Sequence, residues 1–107
     1  MNDNKKQIKK DCPLAETSRI IGDYWNLLIL RQLITGPQRF NEFIDQIEGS
    51  TSATISQKLK QLNTLGIIDR RQFECIPPKV EYTLTKKGQK FAKVISAVEE
   101  LSKDSSL

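Results

Sequence analysis

A mainly α-helical fold carrying a small two-stranded β-ribbon is predicted by three features of the sequence. Apolar residues recur at three- and four-residue spacing in four successive segments between Leu14 and Leu62. The spacing switches to alternation across Val80, Tyr82 and Leu84, and helical spacing returns from Phe91 to Leu101. Glycine and proline divide the segments at Gly22, Gly36, Pro37, Gly49, Gly66, Pro77 and Pro78.

The first segment, CPLAETSRIIG, sets Leu14, Ile20 and Ile21 near one side of a short helix, with Pro13 tolerated in its first turn and Gly22 at its end. A second helix is expected from about Tyr24. Its residues Trp25, Leu28, Ile29 and Leu33 fall at helical spacing, and the wide apolar coverage marks a largely buried element ended by Gly36 and Pro37. Phe40, Phe43, Ile44 and Ile47 describe a short amphipathic helix closed by Gly49. In the stretch GSTSATISQKLKQLNTLG, Thr51 is the expected N-cap, and Ile55, Leu59 and Leu62 lie within about 60° of one another at ~100° per residue. Residues 68–73 are the expected antiparallel partner of the alternating segment. Pro77 and Pro78 cannot donate backbone hydrogen bonds and belong to the connection between the strands. Thr85 is expected to cap one long final helix with Phe91, Val94, Ile95, Val98 and Leu101 along one side.

At 107 residues the chain has room for one small domain. The expected division is a polar basic leader over residues 1–11 and a folded domain over 12–107. No apolar run approaches the ~18 residues of a membrane span, and no secretory-type segment follows the charged N-terminus, so the cytoplasm is the expected compartment. Seventeen Lys and Arg against thirteen Asp and Glu give a net charge of +4, which favours anionic partners such as nucleic acid. There is no histidine, and the two cysteines stand apart at Cys12 and Cys75. That composition argues against an imidazole-activated nucleophile or a usual zinc site, so the chain is expected to be no enzyme and to hold no metal or cofactor.

The fourth helix carries the functional signal. Opposite its apolar stripe stand Ala53, Gln57, Lys60 and Thr64, flanked by Thr54, Ser56 and Gln61, with no acidic residue among them. A DNA major groove admits an α-helix and presents donors, acceptors and the thymine methyl, so a reading helix wants short or bidentate polar side chains and small apolar ones. Gln57 suits adenine, Ala53 or Thr54 a thymine methyl, and Ser52, Ser56 and Lys60 bases or phosphates, with Thr51 at the cap. The bland alternative is a merely solvated face. Arg39, before the third helix, suits a phosphate, or else an ion pair with Glu42. Arg70, Arg71 and Lys79 lie on the ribbon. Strand alternation sends Arg70 and Arg71 to opposite faces, so at most one of that pair points at DNA; Arg71 and Lys79 are taken as the contacts.

Two short helices joined by a turn, the second with a polar outer face, followed by a hairpin, is the order of a winged helix-turn-helix. The chain resembles the HxlR-type winged helix regulators, near the MarR group, from Cys12 to about Leu101. The segment CPLAETSRIIGDYWNLLILRQLITGPQRFNEF looks like the family's Cys-Pro start, Gly-x-x-Trp helix and Gly-Pro-x-Arg-Phe-x-Glu turn, and IPPKVEYTLTKKG looks like its wing. Three departures stand out. The usual Gly-Gly-Lys-Trp is Gly22, Asp23, Tyr24, Trp25; the usual Gly-Ile-Ser before the reading helix is Gly49, Ser50, Thr51; and the acid common near that helix's end is Asn63.

The resemblance implies a sequence-specific double-stranded DNA-binding transcriptional regulator, more readily a repressor, since occlusion needs no further surface. The alternative is a winged-helix protein-interaction module without DNA binding. It also implies a homodimer on a pseudo-palindromic operator, with the first and last helices at the seam; Leu14, Ile21, Val94, Ile95, Val98 and Leu101 are the candidates. Cys12 occupies the Cys-Pro position where some members sense oxidants or electrophiles. Lys9, Lys10 and the following helix N-terminus favour its thiolate and Asp11 opposes it, and the other reading is an idle cysteine. No effector pocket is legible.

Overall fold

The computed structural model describes residues 13–104. The leader 1–11 and Cys12 lie outside the described residues, and with them the expectations attached to both. The elements run α1 (Pro13–Ile21), α2 (Tyr24–Ile34), α3 (Phe40–Gln46), α4 (Ser52–Thr64), β1 (Ile68–Phe73), β2 (Lys79–Leu84), α5 (Lys86–Gln89) and α6 (Phe91–Ser102). This is the mainly α winged helix-turn-helix that the sequence predicts, except at one point. The long final helix is two helices. Thr85 caps only α5, its hydroxyl accepting from the Gly88 N–H at 3.0 Å, and the chain tightens at Lys90 before α6 begins.

The break has a tertiary cause. Gly88 is buried against the Ile67 carbonyl, where an added Cβ would stand 2.1 Å from the oxygen. Thr85 ties the same point from the other side, its backbone N–H donating to Ile67 O at 3.1 Å and its hydroxyl to Gly66 O at 2.6 Å. Gly66, at φ +77°, ends α4 with the Ile67 N–H returning to Leu62 O and its own N–H to Asn63 O, both at 3.0 Å. That left-handed glycine closure satisfies the last carbonyls of α4 and turns the chain directly into β1.

The core is formed by Ile29, Leu30 and Leu33 of α2, Phe43 of α3, Ile47 after it, Ile55, Leu59 and Leu62 of α4, Ile67 and Ile68 at the start of β1, and Ile95 of α6. The ribbon is antiparallel with Arg70 opposite Tyr82 and Arg71 opposite Glu81. A third rung is supplied by Gln38, which exchanges hydrogen bonds with Tyr82 at 3.0 and 2.8 Å and so fastens β2 to the turn before α3. No helix among the described residues is long and apolar enough to cross a membrane.

Replacing Gly88 with Ala is expected to lower the unfolding free energy by about 2–4 kcal/mol, because backbone must move to admit the methyl group. Gly66→Ala, whose Cβ meets nothing within 4 Å, carries only the left-handed strain of about 1–2 kcal/mol. Urea denaturation of both variants checks the order; a Gly88→Ala protein as stable as Gly66→Ala would contradict it.

Candidate nucleic-acid interface

Thr51 starts α4 as expected, its hydroxyl accepting from the Thr54 N–H at 3.2 Å and bonding the Thr54 hydroxyl at 3.1 Å. Both hydroxyls are thus engaged in the cap, and Thr54 is half-buried. Ile55, Leu59 and Leu62 are buried, which leaves Ser52, Ala53, Ser56, Gln57 and Lys60 exposed on the outer side. Lys60 forms no ion pair among the described residues, whereas Lys58 turns back and bonds Asp23 Oδ2 at 2.5 Å.

Asp23 is a residue whose role the sequence did not disclose. Its carboxylate caps α2 by accepting from the Asn26 N–H at 3.0 Å and holds α4 through Lys58. Burial would raise its pKa, but the Lys58 ammonium and the Asn26 amide outweigh burial and hold the carboxyl below its ordinary value. The acid therefore ties the flank of α4 to the start of α2. Tyr24, in the family's basic position, is exposed and meets Trp25 edge-on at 4.8 Å.

Register places the two ribbon arginines on opposite faces, as strand alternation implies, and only Arg70 lies beside α4. Arg70 lines a groove of about 300 Å³ with Ser56, Lys60, Asn63 and Tyr82. Arg71 lies on the opposite face, its Cζ 5.0 Å from the Phe73 ring centroid, and is not part of the α4 surface. An acid at position 63 would stand beside Arg70, and Asn63 leaves that guanidinium without one. Lys79 is shared between the Phe73 ring at 4.6 Å and Glu81 at 3.7 Å. Arg39 is exposed at the start of α3. Its backbone N–H, not its guanidinium, meets Glu42, at 2.6 Å, and among the described residues it forms no ion pair.

The candidate dimer residues separate into two groups. Leu14 and Leu101 are 75% and 59% exposed, and Ile21, Val94 and Val98 are half-buried. Ile95 is 4% exposed and belongs to the monomer core, because α2 packs across that side of α6. Tyr24, Leu27 and Leu28 of α2 join Val98 in an open groove of about 540 Å³ between α2 and α6, a contribution that the stripe on the last helix alone did not reveal.

A capped helix with a polar, non-acidic outer face, buried behind and flanked by cations on an antiparallel ribbon, defines the winged helix-turn-helix class of DNA-binding proteins. A family model described as HxlR-like helix-turn-helix matches residues 20–106, and the chain belongs to that family. It is 36% identical over 93 residues to an uncharacterized HTH-type transcriptional regulator of Synechocystis, covering 87% of this chain and 69% of that one. It is 37% identical over 78 residues to the HTH-type transcriptional regulator YodB of Bacillus subtilis, covering 72% and 70%. Among solved structures, the redox regulator HypR in its oxidized form superposes with a TM-score of 0.82 at 31% identity, covering 87% of this chain and 96% of that one. The reduced form of YodB gives 0.74 at 33%, covering 83% and 88%.

Asp23→Asn is expected to cost about 1 kcal/mol at pH 7, since it removes the charge that Lys58 meets and weakens the cap. Because the folded-state pKa is lowered, this contribution is complete above the carboxyl's ordinary value and disappears as pH falls through the folded-state value. Denaturation curves of the two proteins should therefore converge as the pH falls through the folded-state value, below the ordinary carboxyl range; a gap that persists in acid would assign the loss to packing.

Proposed function

We propose that this protein is a sequence-specific, double-stranded DNA-binding transcriptional regulator that acts as a repressor in the cytoplasm. The observation that carries the reading is the outer face of α4, where Ser52, Ala53, Ser56, Gln57 and Lys60 are all exposed and no acid is present. Gln57 pairs with a base edge, the small residues allow close approach, and Lys60, Arg70 and Arg39 meet phosphates. Arg71 and Lys79, gathered on Phe73 on the ribbon's other face, are left out of this contact set. A protein-interaction module would instead present an apolar or acidic face on α4.

The molecule works as a homodimer on a pseudo-palindromic site, which doubles the base pairs that one short helix can read. Leu14 and Leu101, too exposed to belong to the monomer core, support a seam built from α1 and α6. Cys12 makes binding responsive to thiol oxidants; the redox regulator HypR, solved in oxidized and reduced forms, and YodB, solved reduced and diamide-treated, support that reading.

Fluorescence anisotropy of the reduced protein on a labelled duplex from its own upstream region, beside a scrambled duplex, tests the function. Gln57→Ala is expected to lose about 1–3 kcal/mol on the native duplex and relax its preference. Lys60→Ala should weaken every duplex alike and reduce the salt slope by about 1. Equal binding of native and scrambled duplexes would overturn specific recognition. The same titration after a thiol oxidant, with Cys12→Ser as control, checks redox response, which an unchanged affinity would remove.

Leu101→Glu should shift the protein to monomer in sedimentation velocity. An unchanged dimer would place the seam elsewhere.

A further inference from the structure

A groove of about 470 Å³ lies between the corner where α1 meets α2 and the C-terminal half of α4. It is separate from the groove beside the ribbon, although Lys60 borders both. Its size suits a small organic molecule. Ile20 and Leu65 supply apolar sides, and Leu65 is 44% exposed at the edge.

Asn26 of α2 also lines this groove and is only 6% exposed. Its side-chain Nδ2 donates to Ile20 O at 3.3 Å, which settles the orientation of the amide, because the reverse would set two oxygens together. The buried Oδ1 is left with no hydrogen-bond partner among the described residues. Buried acceptors in native folds are nearly always met, so an unmet one beside a cavity points to a ligand that donates there.

The charges around the groove define the rest of that ligand. Arg19 and Lys60 are exposed on its border, and neither forms an ion pair among the described residues. Asp23 stands on the same wall, but Oδ1 accepts from the Asn26 N–H and Oδ2 meets the Lys58 ammonium. Its charge is already answered, and the border is left cationic. Arginine and lysine together suit a carboxylate.

We propose that this groove binds a small organic anion with a flat apolar body, whose carboxylate meets Arg19 and Lys60 and whose hydroxyl or N–H donates to Asn26 Oδ1, and that the bound anion weakens DNA binding by taking Lys60 from the phosphates. The second half rests on the regulator reading above, which gives Lys60 to a phosphate. One ammonium cannot serve both anions fully, so each ligand lowers the affinity for the other by the same factor.

The probe is 6-hydroxy-2-naphthoate. Its controls are 2-naphthoate, which lacks the donor, and 2-naphthol, which lacks the carboxylate, each titrated by calorimetry into the full reduced chain without DNA. The probe is expected to bind about tenfold more tightly than either control. Asn26→Leu should remove the advantage over 2-naphthoate, and Arg19→Gln should shrink the advantage over 2-naphthol. Leu65→Trp fills the groove from its exposed edge and should abolish binding with the thermal midpoint unchanged, which keeps the test decisive if Asn26→Leu does not fold. No saturable binding at millimolar probe, equal binding of 2-naphthoate, or full binding by Leu65→Trp overturns the site. With DNA present, saturating probe should weaken the native duplex about five- to tenfold and lower the salt slope by about 1, and neither effect should remain in Lys60→Ala. An unchanged duplex affinity overturns the coupling. Failure of the titrations without DNA leaves the regulator reading standing, whereas equal binding of native and scrambled duplexes removes that reading and leaves the site.

Discussion

Burial of Ile55, Leu59 and Leu62 sets the rotation of α4, and the rest of the molecule depends on that rotation. Each of these side chains contributes about 1.5–3 kcal/mol on leaving water, whereas ordinary residues differ in helix propensity by at most about 0.7 kcal/mol. Packing therefore decides which face looks outward. A turn of one residue, about 100°, would lift part of the stripe into solvent and drive a polar side chain against α2 or α3. The polar outer row of α4 follows from that constraint, since it consists of the residues that the core has no use for.

Rotation alone would leave the helix free to tilt, and three local devices oppose this. Thr51 closes the N-terminal end with its hydroxyl. The Gly66 closure and the contact of Gly88 with Ile67 fix the C-terminal end, where Lys87 also donates to Leu65 O at 2.9 Å. Between them, Asp23 holds Lys58 on the flank that faces α2. A surface fixed at both ends and along one side does not have to be ordered when a ligand arrives, so less of the interaction energy is lost on binding.

Much of this was legible from period and punctuation. The stripe on α4, its cap at Thr51 and the strand at residues 68–73 all emerge from local spacing, because a helix or strand that buries one face must write that face into the sequence. What stayed hidden depends on neighbours. The split at Lys90 arises because Gly88 touches a carbonyl twenty-one residues earlier in the chain, which no helical pattern reveals. Ile95 looked equivalent to Val98 on the wheel until α2 filled one side of it. Alternation said that Arg70 and Arg71 diverge, but only the packing of the ribbon on α4 could say which one stands beside Ser56 and Lys60. Asp23 read as an anomaly beside the family pattern, and its purpose appears once Lys58 is seen across the helix pair.

The net charge of +4 was a poor guide to the interface, because the molecule spends several of its cations internally. Lys58 is bound to Asp23, Lys87 to the end of α4, and Arg31 to Glu99 at 2.9 Å. Of the basic residues set around α4 and the ribbon, Arg39, Lys60 and Arg70 form no ion pair among the described residues, and Arg71 and Lys79 gather on Phe73. Lys60 and Arg70 share one groove, and Arg39 borders another with Pro78 and Val80 of the ribbon. A phosphate backbone is a line of charge, so a few cations along one path bind it better than a larger excess spread over every face. The fold thus shapes its field by pairing Lys58 and Arg31 with carboxylates and leaving Arg39, Lys60 and Arg70 without an ion pair among the described residues.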